Sequence, residues 1–182
     1  MDDEIPEYLY WQLWEKCYED FHEDLCDRVM RLSLDRFAVV VAHALEAMRY
    51  GEARAIMNDL EIKGEVVQGL IGRVWVEARK DRNVTLLLAK GFVDRMIAHD
   101  AGRGCCITMR NITRRAVDFF HGFSVHYYCW TNLSGELEQS QAVIRPENEY
   151  EIWNMNEKFF NALEEGPESA FRDKVDQGLL AP

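Results

Sequence analysis

No run in this chain comes near the ~20 consecutive apolar residues that a membrane-spanning helix requires. The longest apolar stretch, 38–44, is far shorter. The chain also lacks the signatures that would assign a chemistry. There is no C-x-x-C, no G-x-S-x-G, no P-loop and no kinase signature. Gly102-x-Gly104 is too short for a dinucleotide fingerprint. The start, Met1-Asp2-Asp3-Glu4, has neither the basic region nor the apolar run of a secretory signal, so a cytoplasmic location is the expectation. On these grounds the sequence assigns no catalytic residue, no metal ligand and no cofactor.

What the chain does have is charge sorted by position. Residues 1–35 hold eleven acids and three bases, a net of −8; residues 36–115 hold nine acids and fourteen bases, a net of +5; residues 116–182 hold twelve acids and four bases, a net of −8. The overall balance of −11 disfavours simple attraction to free nucleic acid or to an anionic membrane, and it favours encounter with a basic protein surface. A local basic patch remains compatible with nucleic acid.

With 182 residues, of which 48% are apolar and 12% aromatic, the chain can bury a core without disulfides or metal. The five cysteines, Cys17, Cys26, Cys105, Cys106 and Cys129, are an odd number in a chain read as cytoplasmic. Reduced thiols, mostly packed as small core residues, are the expectation.

Helical spacing dominates the pattern. Tyr10, Trp14, Cys17, Tyr18, Phe21, Leu25, Val29 and Leu32 predict one amphipathic helix over 7–32. Phe37, Val40, Val41, Ala44, Leu45 and Met48 predict a second, ended by Gly51. A short helix over 52–60 and another over 65–80, carrying Val67, Leu70, Ile71, Val74 and Trp75, have helix–turn–helix proportions. Further helices are expected through Phe92–Ile97, through Ile112–Phe123, and from Pro146 through Leu163 to Gly166. Residues 123–145 are the least helical and suggest a small hairpin of Val125–Trp130 with Ala142–Ile144. The fold expected is mainly α: a single-domain helical bundle over 1–166, with one small β-hairpin around 123–145 and a polar tail over 167–182.

Two constellations point to binding. Glu15, Glu19, Glu23 and Asp27 recur every four residues, with Asp20 and Asp24 beside them. Like charges at i and i+4 cost about 0.2–0.5 kcal/mol per pair, so stability alone does not select them. Six acids over a rise of about 18 Å give one charge per roughly 3 Å, close to the phosphate spacing of a nucleic-acid strand. The leading reading is therefore a non-catalytic inhibitor acting as a nucleic-acid mimic. Its acidic surface would occupy the channel of a basic nuclease or nucleoprotein, in the functional manner of phage counter-defence proteins such as CRISPR inhibitors. The bland alternative is a solvated helix face.

The second constellation is Arg103, Arg110, Arg114 and Arg115, with a further group at Arg73, Arg79, Lys80 and Arg82. Arginine at this density suits phosphate, so a nucleic-acid-binding regulator is the alternative function. The competing view pairs these arginines with the acidic ends of the same chain.

Metal and enzyme readings are weaker. Glu19-x-x-His22 and Asp118-x-x-His121 resemble half of a di-metal bundle site, for which Glu46 and Glu77 are the only candidate further carboxylates and neither marks an unambiguous pair. His121, His126, Cys105, Cys106 and Cys129 could form a Cys–His site of an enzyme only if the fold gathers them.

Overall fold

The computed structural model describes residues 7–48, 52–58, 61–68, 72–138, 140, 142–144 and 154–165. Its first two helices, α1 (Glu7–Arg31) and α2 (Leu34–Ala47), form where the apolar spacing predicts them. After them the chain departs from helix. Strands β1 (Glu52–Asn58), β2 (Glu61–Gln68) and β3 (Gly72–Arg79) make an antiparallel meander. Its register runs from Glu52 opposite Val67 to Asn58 opposite Glu61, and from Glu61 opposite Arg79 to Gln68 opposite Gly72.

Helix α3 (Leu86–Ala98) then returns the chain to β4 (Arg103–Thr108), and α4 (Arg114–Phe120) returns it to β5 (Val125–Tyr128). Both β4 and β5 join in parallel, giving one five-stranded sheet of order β1-β2-β3-β4-β5. Helix α5 (Trp130–Leu137), a two-stranded pair of β6 (Val143–Ile144) with β7 (Asn154–Met155), and helix α6 (Glu157–Glu165) complete the described chain.

Helices hold more of the chain than strands, so the mainly α expectation holds at that level. The bundle does not: the helices flank a mixed sheet. The helix–turn–helix expected over 52–80 is three strands, with only residues 59 and 60 between the first two. The expected hairpin is also corrected. Val125–Tyr128 pairs in parallel with β4, whereas Val143 and Ile144 pair with Met155 and Asn154. Met155, expected on the last helix, is thus in a strand, and Asn132–Gly135, within the span of the expected hairpin, lies inside α5. The boundary expected near 166 and the tail over 167–182 lie outside the described residues, as does Pro146.

β3 explains why a sheet forms here. Val74, Val76 and Ala78 bury on one face with α1 and α2, while Trp75 buries on the other with α3 and α4. β4 divides in the same way: Cys105 and Ile107 join the first core, Cys106 the second. β4, buried on both faces, shows no apolar–polar alternation in sequence. The first core also takes Phe21, Leu25 and Val29 from α1, Leu133 and Leu137 from α5, and Phe160 and Leu163 from α6. The second takes Phe92, Val93 and Met96 from α3 and Ala116 and Phe120 from α4.

α3 ends where Asp100 takes a left-handed conformation, φ 54°. The Asp100 and Ala101 amides donate back to the Ile97 and Met96 carbonyls.

Candidate functional sites

The parallel strands β3 and β4 end side by side, and the loops that follow them are tied together. Val84 and Ile112 form an isolated parallel bridge. The Val84 amide donates to the Asn111 carbonyl, and the Thr113 amide to the Val84 carbonyl. Thr108 Oγ1 donates to the Arg82 carbonyl at 2.9 Å and accepts from the Arg110 amide at 3.1 Å; Asn83 Oδ1 accepts from the Asn111 amide at 3.1 Å. Thr85 and Thr113 cap the helices that begin there, their hydroxyls accepting from the Leu88 and Ala116 amides.

Around this edge Arg82, Arg110, Arg114 and Arg115 are exposed. Arg114 pairs along its helix with Asp118 at 3.0 Å. Segments 80–82 and 110–118 together carry five bases and two acids. The fold therefore brings together three of the four arginines singled out in the sequence. Arg103 is not with them: it begins β4, and at about 3.3 Å per residue it stands roughly 16 Å from the end of that strand.

The other basic group is divided too. Arg79 is buried on Glu77, Lys80 Nζ donates to the Leu32 carbonyl, and Arg73 is exposed at the far end of β3.

Glu77, which the sequence offered only as a possible further carboxylate of a di-metal site, instead anchors the centre of the sheet. It is fully buried. Oε1 accepts from Trp75 Nε1 at 2.9 Å and from Arg95 Nε at 2.5 Å; Oε2 accepts from Arg79 Nη2 at 2.9 Å and Arg95 Nη2 at 2.8 Å. The His99 ring stacks on Trp75, centroids 4.3 Å apart. Trp75, Glu77 and Arg79 alternate along β3 on the α3 side, and that period of two is the signal sequence reading missed. Next to this carboxylate, burial first and its negative charge second push the Cys106 thiol far up.

The acidic stripe of α1 is solvent-facing throughout: Glu15, Glu19, Asp20, Glu23, Asp24 and Asp27 are all exposed. Asp27 has a neighbour in Arg31 at 3.9 Å. Part of the C-terminal acid block is spent inside the molecule. Glu157 and Glu164 pair with Arg28 at 3.6 and 2.8 Å, and Asn161 Oδ1 accepts from Arg28 Nη2. Glu147, Glu149 and Glu151 lie outside the described residues.

Beside the stripe, α1 and α5 frame an open cavity of about 580 Å³ lined by Tyr18, Glu19, His22, Glu23, Trp130 and Gly135 among others. At its back Glu138 accepts from the Tyr18 hydroxyl, and His22 Nε2 stands 3.0 Å from Glu138 Oε1. Partial burial first, and the bond to Glu138 next, push the Tyr18 hydroxyl up to about 12.

The Cys–His candidates are dispersed. Cys105 and Cys106 point to opposite cores, and both are buried. His121 and His126 are exposed, with His121 3.4 Å from the Tyr127 hydroxyl. Cys129 lies 3.1 Å from Thr131 Oγ1. Among the described residues, no three His, Cys, Asp or Glu side chains converge as a metal site. His22 meets Glu138 rather than a metal partner set. No described helix is long and apolar enough to cross a membrane.

No family model matches the chain, and no curated protein matches it. Several solved structures show a distant likeness, two of which illustrate it. One is the DNA modification-dependent restriction endonuclease AspBHI, with a TM-score of 0.44 and 14% identity over 66% of this chain and 35% of that one. The other is the MspJI restriction endonuclease in complex with a 27-mer oligonucleotide, with a TM-score of 0.43 and 9% identity over 93% of this chain and 40% of that one. This chain spans less than half the length of either, and at these scores neither bears on its function.

Proposed function

We propose that this chain binds the phosphate backbone of nucleic acid along the carboxyl edge of β3 and β4. One observation carries the reading: Arg82, Arg110, Arg114 and Arg115 are exposed together around the first turns of α3 and α4. Guanidinium groups hold phosphate bidentately, and helix N-termini add partial positive charge. Ligands of open α/β sheets commonly bind outside the carboxyl ends of the strands. The local charge is positive although the whole chain is acidic, so binding would be confined to this edge and would be weak at high salt.

The test is fluorescence anisotropy with labelled duplex and single-stranded oligonucleotides over a salt series. Each phosphate contact contributes about 0.7–0.9 to the slope of log affinity against log salt. Replacing Arg110 and Arg114 with alanine should lower that slope by nearly two and weaken all sequences alike. Absence of binding at low salt overturns the reading.

A second reading rests on the α1 face: a protein-binding inhibitor whose exposed carboxylates meet a basic nuclease or nucleoprotein. The full exposure of all six acids favours it. It predicts capture of a basic protein from nuclease-treated bacterial lysate. That capture should be lost at high salt and lost on Glu19→Lys, Glu23→Lys, Asp27→Lys substitution. Unchanged capture by the triple variant removes α1 as the contact.

A further inference from the structure

We infer that the cavity between α1 and α5 is a binding site for an organic ammonium group: an alkylammonium or quaternary ammonium carried by a small molecule or by a lysine side chain. The volume, about 580 Å³, is in the range of small-molecule sites rather than of packing defects. Its walls combine two aromatic rings, Tyr18 and Trp130, with two carboxylates, Glu19 and Glu23. Aromatic faces attract cations through their quadrupole, and carboxylates add direct attraction.

The remaining chemistry of the lining points the same way. Among the described residues, no lysine or arginine lines the cavity. His22, its one imidazole, has Nε2 on Glu138, and His22 Nδ1 is sealed from solvent with no hydrogen-bond partner among the described residues. An anion entering here would meet two unneutralised carboxylates. A divalent metal would lack a converging ligand set, since the described residues hold none. A nucleotide could stack a base on Trp130 but would bring its phosphate against Glu19 and Glu23. An ammonium group alone satisfies both the Trp130 ring and the charges.

The geometry of Trp130 fits this use. It is half-buried, packs against the first core, and stacks on no other ring among the described residues. Tyr18 is held by the Glu138 contact and by stacking on Trp14, ring centroids 5.1 Å apart. One side of the site is therefore fixed before any ligand arrives.

Gly135 supplies a way to close the cavity without disturbing the core. A Cβ built at this exposed helical position meets no atom within 4 Å. Gly135→Leu should occlude the space, and Gly135→Ala should leave it open while favouring the helix.

The experiment titrates the whole chain with choline and, separately, with its neutral isostere 3,3-dimethylbutanol at matched ionic strength, following the Trp130 indole N–H by NMR. Trp130→Phe assigns the resonance. Choline should shift that resonance saturably, and the neutral isostere should not. Glu19→Gln with Glu23→Gln should weaken choline about fivefold or more, and Gly135→Leu should abolish the shift while Gly135→Ala preserves it. An octalysine peptide competing with choline would make a protein side chain the natural source; choline binding without competition would make it a small molecule. Equal binding of the neutral isostere, no saturable shift with choline, or a choline shift that survives Gly135→Leu would each overturn the assignment.

Discussion

Arg95 of α3 and Glu77 of β3 are joined by two near-parallel hydrogen bonds, Nε to Oε1 at 2.5 Å and Nη2 to Oε2 at 2.8 Å, and this fork fastens the helix to the centre of the sheet. Arg79 and Trp75 fill the remaining sites on the same carboxylate. A buried charge network contributes little net stability when intact, yet removing one partner leaves the others uncompensated. Glu77→Gln replaces the carboxylate that the Arg79 and Arg95 guanidiniums share with a neutral amide. It should cost about 3–5 kcal/mol, read as a lower midpoint in urea unfolding. A midpoint unchanged from the parent chain would mean that solvent reaches these arginines.

Gly104 tests how closely α3 packs on β4. A Cβ there would lie 2.5 Å from Phe92 Cε1 and 3.0 Å from Met96 Sδ. Phe92 is itself edge-on to Phe120 in the second core, so its ring has little room to turn. Gly104→Ala should destabilise by about 1–3 kcal/mol through overpacking. Pairing it with Phe92→Leu should recover part of that loss, because the smaller side chain vacates the clash. Additive losses in the double variant would argue against direct contact.

Arg103 separates the folded patch from the sequence cluster. Because it begins β4 while Arg110 follows its end, Arg103→Ala should leave oligonucleotide affinity and its salt slope unchanged. Arg110→Ala alone should lower the slope by roughly one. An equal effect of the two substitutions would relocate the interface.

The helices that bury a single stripe were legible: Phe21, Leu25 and Val29 in α1, Phe37, Val41 and Ala44 in α2, and Phe92, Val93 and Met96 in α3 each recur at three or four residues and pack as that spacing implies. The sheet was not. In β3 the apolar set is split between two cores, so Val74 and Trp75 read as part of a helical run, whereas the charge of Glu77 beside them is buried. Only tertiary partners on a distant helix make that charge tolerable. Cys105 and Cys106 are buried, as expected of core thiols, but the strand that carries them was not legible, because they face different cores. The α1 acids and three of the four arginines were visible by composition. The cavity was not, since α5 supplies half of it from a segment rich in turn-forming residues.

Thiol accessibility follows from the same two-faced burial. Cys105 and Cys106 are buried, whereas Cys17, Cys26 and Cys129 are half-buried. Burial holds Cys106 and, to a smaller degree, Cys26 in the unreactive thiol form. Under native conditions, alkylation followed by peptide mass spectrometry should modify Cys17 and Cys129 first and Cys105 and Cys106 only on unfolding. Early labelling of Cys106 would indicate that α3 opens from the sheet.

Tyr18 gives a signature in alkali. Its hydroxyl is pushed from the ordinary 10 up to about 12 by burial and by Glu138. The folded state thus keeps the proton where the unfolded state releases it. Its stabilising contribution is complete below about pH 10 and is lost as the pH rises towards 12. Tyrosinate absorbance should show a late-titrating tyrosine that disappears in Tyr18→Phe, and that variant should lose less stability than the parent over this interval. A parent chain without the late step would place Tyr18 in open water.

The bridge between Val84 and Ile112 has a consequence in time as well as in space. Loops that must be ordered by their ligand surrender entropy at each encounter. Here the segments bearing Arg82 and Arg110 are already stitched to one another by backbone and threonine hydrogen bonds. A ligand arriving at this edge would meet a surface set in advance. Long-range attraction would then govern how fast complexes form, and cutting the stitch at Thr108 would shorten how long they last.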